Sequence, residues 1–177
     1  DTLAAAAAVF TLNRAQAAPV LVSQEHLSRT RGTARAVIVN SGCANACTGA
    51  AGLTVAREMA AAAAAGVGST PDHVLVASTG VIGVALDINK VRHGVTAALR
   101  ALSAHGSANA TRAIMTTDPF PKSCAAVVDT AAGRFTVGGM AKGSGMIEPR
   151  MATMLGFLTT DARVEPSILS GALRRVV

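Results

Sequence analysis

The spacing of hydrophobic positions changes several times along the chain, and each change predicts an element. Ala34 to Asn40 (ARAVIVN) and His73 to Ser78 (HVLVAS) are β-branched runs between polar or glycine-containing segments, and they predict strands. Pro19 to Val22 has the same composition and predicts a third. Ala50 to Ala65 is an alanine-rich helix stopped by Gly66 and Gly68. Leu86 to Leu102 carries Asp87 near its start and apolar residues at 88, 91, 95, 99 and 102, the spacing of an amphipathic helix. Ala108 to Met115 predicts a shorter helix. After Pro121 the pattern turns to strands, at Ser123 to Thr130, Arg134 to Met140 and Ala152 to Thr159, with a hairpin at Ala131 to Gly133. Helix resumes at Glu165, with Pro166 in its first turn. This order predicts an α/β fold whose sheets are covered by helices, without internal repeats or linkers.

Composition narrows the function. A chain of 177 residues can form one domain with a real core, or part of a larger one. Half the residues are hydrophobic and the only aromatics are four Phe, so the core must be built from Ala, Val, Leu, Ile and Met. The formal charge of +6 raises nucleic-acid binding as an option. The basic residues form only short knots, such as Arg29-Thr30-Arg31 and Arg174-Arg175, and no exposed aromatic pattern offers base stacking. The excess reads as solvated surface or a site for small anions. Three cysteines without a disulfide framework fit a reducing compartment. Cys43 and Cys47 lack a second ligand pair and the four His are scattered, so no metal site is expected. The apolar stretches fall short of a membrane span and the start lacks the basic region of a signal peptide, so a soluble, cytoplasmic protein is expected. The chain starts without Met and stops at Arg174-Arg175-Val176-Val177 inside a helical pattern; both ends read as cut.

Four glycine- or hydroxyl-bearing turns stand out, each read as the end of a strand: NSGCANACTG (Asn40 to Gly49), ASTGVIG (Ala77 to Gly83), IMTTDPFPK (Ile114 to Lys122) and GGMAKGSGM (Gly138 to Met146). Strand ends are where α/β proteins place ligands, although the same residues also make ordinary turns. Thr79 and Gly80 can offer a hydroxyl and a backbone N–H to a developing oxyanion, or form a simple turn. Lys142, among glycines that allow close backbone approach, can hold a carboxylate or be a surface lysine. No phosphate-binding G-x-x-x-x-G-K-[ST] loop occurs.

Thr153 interrupts the apolar run Met151 to Leu158. A threonine hydroxyl is a weak nucleophile unless a base adjoins it, and one solution makes the threonine a chain terminus whose own α-amine takes the proton. That amine titrates at about 7.7–8.0 in model peptides. An internal Thr153 gains such an amine only if the Ala152–Thr153 bond is cut; otherwise it is a hydrogen-bonded strand residue.

These motifs, in this order, resemble the ornithine acetyltransferase family, the glutamate N-acetyltransferases of arginine biosynthesis. The resemblance runs from AAAVFTLNRAQAAPV (Ala6 to Val20) through the four turns to KGSGMIEPRMATMLGFLTTDA, the most specific stretch. It implies a four-layered α-β-β-α sandwich, similar in layout to N-terminal-nucleophile hydrolases but differently connected. It implies a precursor that cleaves itself between Ala152 and Thr153, making residues 1–152 an α-chain region and 153–177 the start of a β chain. Acetyl would then pass from N-acetyl-L-ornithine to Thr153 and on to L-glutamate. In that scheme Thr79 and Gly80 form the oxyanion pair, while Lys142 and either Thr116 or Thr117 bind substrate alongside Thr153. No cofactor is implied, although some members also take acetyl from acetyl-CoA. The implied partner is the protein's own β chain, in a heterotetramer of two α and two β chains, without nucleic acid or membrane.

Pro119 departs from the T-T-D-T form, and Glu148 and Arg150 are charged where smaller or uncharged residues are expected. Only Thr153 to Val177 follow the cleavage point, so the chain reads as a fragment that cannot complete the site alone. The rival readings are a self-cleaving aminopeptidase or amidase of related architecture, and an inactive, non-enzymatic module.

Overall fold

The computed structural model describes residues 2–131, 133–144 and 154–177. A short strand β1 (Ala4–Ala5) leads to helix α1 (Ala18–Arg29), and β2 (Thr33–Ala34) returns antiparallel to β1. Strand β3 (Ala36–Cys43), helix α2 (Gly49–Val67) and strand β4 (Val74–Val81) follow. The two strands are parallel, as a crossover through a helix requires. Helices α3 (Ile88–Arg100) and α4 (Ser107–Ala113) precede an antiparallel sheet of order β5 (Lys122–Thr130), β6 (Gly133–Lys142), β7 (Leu155–Thr160). Helix α5 (Pro166–Val176) closes the described chain.

Pro19 to Val22 is not a strand; it forms the first turn of α1. Proline is tolerated there because its missing N–H would have no partner in any case. The buried positions 18, 22, 23 and 26 then recur at helical spacing. The helix also completes β4: Ser23 Oγ donates to the Val76 carbonyl (2.7 Å) and accepts from the Val76 N–H (2.8 Å), and His26 Nδ1 donates to the Val74 carbonyl (2.8 Å). Backbone groups on that strand edge would otherwise be buried without partners.

The main core cluster among the described residues joins Ala18 and Val22 of α1, Ala56, Met59, Ala60, Ala63 and Ala64 of α2, and Val74 and Val76 of β4. Alanine lets α2 lie close to its neighbours, so packing of small groups replaces the missing aromatics. Gly68 ends α2 in the left-handed conformation (φ 63°), as expected of a glycine terminator. Gly66 has a different role. It lies inside the helix under Leu99 of α3, where an added Cβ would come within 2.1 Å of Leu99 Cδ1. Asp87 caps α3 by accepting from the Asn89 and Lys90 N–H groups, so that helix begins at Ile88, with Leu86 packed on the core from the preceding loop.

The β5–β6–β7 sheet keeps its predicted strands and hairpin, with Thr130 paired to Gly133. Much of its apolar surface stays exposed in this chain, including Val127, Val137 and Leu158. Ala152 and Thr153, placed by sequence at the start of its third strand, lie outside the described residues.

Candidate active site

The site begins where β3 and β4 end side by side. Ser41 is the register partner of Thr79, and Gly42 of Gly80. Gly80 has φ 132°, and a Cβ on it would lie 2.2 Å from the Gly42 carbonyl carbon and 2.6 Å from the Cys43 nitrogen. Only glycine fits this backbone contact. Gly80→Ala is therefore expected to spread the strand ends. Its backbone conformation alone costs on the order of 1–3 kcal/mol, so the melting temperature should fall by several degrees; an unchanged melting curve would show that the ends part freely.

Two further segments converge on this junction. Ser41 Oγ donates to the Ala113 carbonyl at the end of α4 (2.7 Å), tying the loop that carries Thr116 and Thr117 to β3. Strand β6 brings Lys142, whose side chain is buried (2% exposed). Its Nζ donates to Thr79 Oγ1 at 2.9 Å and Thr116 Oγ1 at 2.8 Å. A buried ammonium is costly unless hydrogen-bonded, and these two hydroxyls partly satisfy it. Beside it lies a cleft of about 480 Å³ whose walls include Ser41, Gly42, Gly80, Thr116, Thr117 and Ser144.

The structure thus brings together Thr79, Gly80, Thr116, Thr117 and Lys142 from three separate motifs. Both threonines line the cleft, and Thr116 is the one that also bonds Lys142. Ala152, Thr153, Glu148 and Arg150 lie outside the described residues. Leu155, two positions after Thr153, is the register partner of Lys142, so the described chain resumes beside the cleft.

Sequence reasoning missed Asp118. Its carboxylate is buried; Oδ1 accepts from Lys122 Nζ (2.6 Å) and the Gly143 N–H (2.7 Å), and Oδ2 from the Thr116 N–H (3.3 Å). Burial pushes its pKa upward, but the hydrogen bonds from Lys122, Gly143 and Thr116 outweigh it and hold the carboxyl well below the usual carboxylate range. The available signal was an Asp-x-x-x-Lys spacing spanning two prolines. Ser41, Gly42 and Ser144 lie inside the glycine- and hydroxyl-bearing motifs, where nothing in the sequence distinguishes them from ordinary turn residues.

Asn40 and Ser78 are also register partners, one step back from the cleft. Asn40 Nδ2 donates to the Cys43 carbonyl (2.9 Å), while Asn40 Oδ1 and Ser78 Oγ are buried without hydrogen-bond partners among the described residues. Cys43 Sγ donates to the Val84 carbonyl (3.3 Å).

Comparison with known proteins fits this geometry. The model of the ArgJ family matches residues 1–177, the whole chain. The chain belongs to the ArgJ family. It is 53% identical over 171 residues to the arginine biosynthesis bifunctional protein ArgJ of Symbiobacterium thermophilum, covering 96% of this chain and 42% of that protein. For the protein of the same name from Geobacter sulfurreducens the identity is 49% over 176 residues, covering 99% and 44%. The ArgJ-family chain described here therefore spans less than half the length of these curated relatives. The crystal structure of the Bacillus halodurans protein of that name superposes with a TM-score of 0.77 at 42% identity, covering 85% of this chain and 78% of the other. Ornithine acetyltransferase from Mycobacterium tuberculosis, crystallised with ornithine, gives 0.75 at 42% identity, covering 88% and 78%. The mixed α/β fold is thus the one these ArgJ structures share.

Proposed function

We propose that the full-length protein containing this chain is an acetyltransferase of arginine biosynthesis. It moves acetyl from N-acetyl-L-ornithine to L-glutamate through an acetyl-threonine on Thr153. The observation that carries this reading is Lys142 Nζ bonded to both Thr79 and Thr116 at one cleft, with Lys142 paired in register to the strand that follows Thr153. The names of the relatives support the pathway, and the ornithine-bound relative supports the substrate class.

The chemistry starts with maturation. The Thr153 hydroxyl attacks the Ala152 carbonyl carbon and displaces the Thr153 nitrogen, leaving an ester. Water opens that ester, giving an Ala152 carboxylate and a free Thr153 hydroxyl and α-amine. Residues 1–152 then form the α chain, and Thr153 starts the β chain. In each turnover the α-amine takes the hydroxyl proton as Thr153 Oγ1 attacks the acetyl carbonyl. The resulting oxyanion is held by the Thr79 hydroxyl and the Gly80 N–H. Because Thr79 Oγ1 already accepts from Lys142, its single O–H proton is left to donate. Ornithine departs with the proton returned by the α-ammonium. The glutamate amine then attacks the acetyl ester and regenerates Thr153.

Lys142 has three N–H donors and gives two to Thr79 and Thr116, so the third serves a substrate carboxylate. Thr116, rather than Thr117, is the substrate-binding threonine because it is the one this ammonium holds. No cofactor is used. The remaining contacts come from the protein's own downstream chain, in a heterotetramer of two α and two β chains located in the cytoplasm. Among the described residues no helix is long and apolar enough to cross a membrane.

The deciding assay follows N-acetylornithine with and without glutamate. Production of N-acetylglutamate and ornithine only when glutamate is present is the expected result. Free acetate as the main product in both cases would favour an amidase built on the same nucleophile. Adding acetyl-CoA in place of acetylornithine tests the second acetyl donor.

A further inference from the structure

We propose that Asp118 is a positioning residue that sets Thr116 and Lys142 in one frame across the cleft; this rests on the functional reading above. Thr116 belongs to the loop after α4 and Lys142 to the end of β6, so nothing in local sequence fixes their separation. Asp118 spans it with one carboxylate. Oδ2 takes the backbone N–H of Thr116 itself, and Oδ1 takes the N–H of Gly143, the residue directly after Lys142. Both bonds are to main chain, so they place the backbone from which each functional side chain projects. The third bond, from Lys122 Nζ to Oδ1, lies on the partly exposed side and compensates the buried charge. The clamp and the Lys142–Thr116 bond close a ring: Thr116 side chain, Lys142, Gly143, Asp118, Thr116 backbone. Moving the carboxylate shifts the Lys142 ammonium against both hydroxyls, and with them the group bound for substrate.

The position of the carboxylate therefore matters separately from its charge. Asp118→Glu keeps the charge and can still reach Lys122, but places the carboxylate one methylene away from both N–H groups. Misplacement of about 1 Å can cost 10²-fold in rate, so this variant of the full-length enzyme is expected to lose about 10–100-fold in kcat/KM for N-acetylornithine. Lys122→Met leaves the carboxylate on both N–H groups, so it should lower the melting temperature yet keep kcat/KM within about threefold, the scatter expected of a contact outside the site. In the double variant Thr116→Ala/Asp118→Glu the losses should not multiply, because both act on the same ring.

Normal kcat/KM in Asp118→Glu overturns the proposal. So does Lys122→Met losing as much as Asp118→Glu, since the ion pair would then be what matters, and so do losses that multiply in the double variant. If Asp118→Glu does not fold, Asp118→Asn takes its place in the cycle; if neither folds, Asp118 is a staple of the whole fold and the positioning role is refuted. Wild-type kinetics in Thr116→Ala alone would instead remove the functional reading of the cleft. Loss in Thr116→Ala beside a normal Asp118→Glu removes only the clamp.

Discussion

Thr153→Ala in the full-length protein is expected to remain one uncleaved polypeptide without acetyl transfer. The reason is that one oxygen serves two steps in the proposed mechanism. Without it nothing attacks the Ala152 carbonyl, so the α-amine that would act as base is never released, and no acyl-threonine can form. Thr153→Ser separates these losses from a steric effect, because serine keeps the hydroxyl and yields the same amine. It should cleave, more slowly, and retain some turnover. Intact mass after purification reads the cleavage, and a transfer assay reads the chemistry. A Thr153→Ala protein that splits at the same bond, or a wild type that is fully active as one chain, would return Thr153 to the role of an ordinary strand residue.

Lys142→Met is expected to impair kcat as well as raise the Michaelis constant. A lysine that only received a substrate carboxylate would affect binding alone. Here the ammonium also orients Thr79 Oγ1 and Thr116 Oγ1, at 2.9 and 2.8 Å. Methionine has similar length and no donor, so the Thr79 hydroxyl is freed to turn away from the position that meets the oxyanion. Loss of one oxyanion donor typically costs about 10²–10³ in rate, and a fall of that order in kcat is expected beside the weaker binding. Burying methionine in place of a charge should leave the fold at least as stable. Steady-state kinetics with acetylornithine decide it: a raised Michaelis constant with unchanged kcat would confine Lys142 to the carboxylate and detach it from Thr79.

Much of the architecture was legible because it rests on local rules. The periodic apolar positions of α2 and α3, Asp87 as a cap and Gly68 as a terminator are written in adjacent residues. Pro19 to Val22 misled because four residues cannot distinguish a β-branched strand from the first turn of a helix. What decides is Ser23 and His26 reaching β4, about fifty positions later in the chain. The site divides in the same way. Thr79, Gly80, Thr116, Thr117 and Lys142 were visible as residue types in segments that read as turns, although Thr79 and Gly80 lie within β4 and Lys142 ends β6, and the family resemblance gave them roles. Their joining through one ammonium was not visible, since it depends on β6 running back to the end of β4. Asp118 was hidden for a related reason: in sequence it is one more turn residue, and only its burial reveals that it binds two distant backbone groups.

The separation between core and cleft bears on how this protein can change over evolutionary time. Among the described residues the main core cluster has its last buried member at Val76 and is covered by Leu86, Ile88 and Val91, whereas Thr116, Asp118 and Lys142 all come later in the chain. Substitutions in the later segments that reshape the cleft therefore need not disturb the alanine-packed foundation, and that foundation reaches the cleft through two adjacent strands, β3 and β4, whose ends line it. New substrate preferences can accumulate in the later segments, while the earlier ones are held both by packing and by the strand ends, Ser41–Gly42 and Thr79–Gly80, that they bring to the cleft.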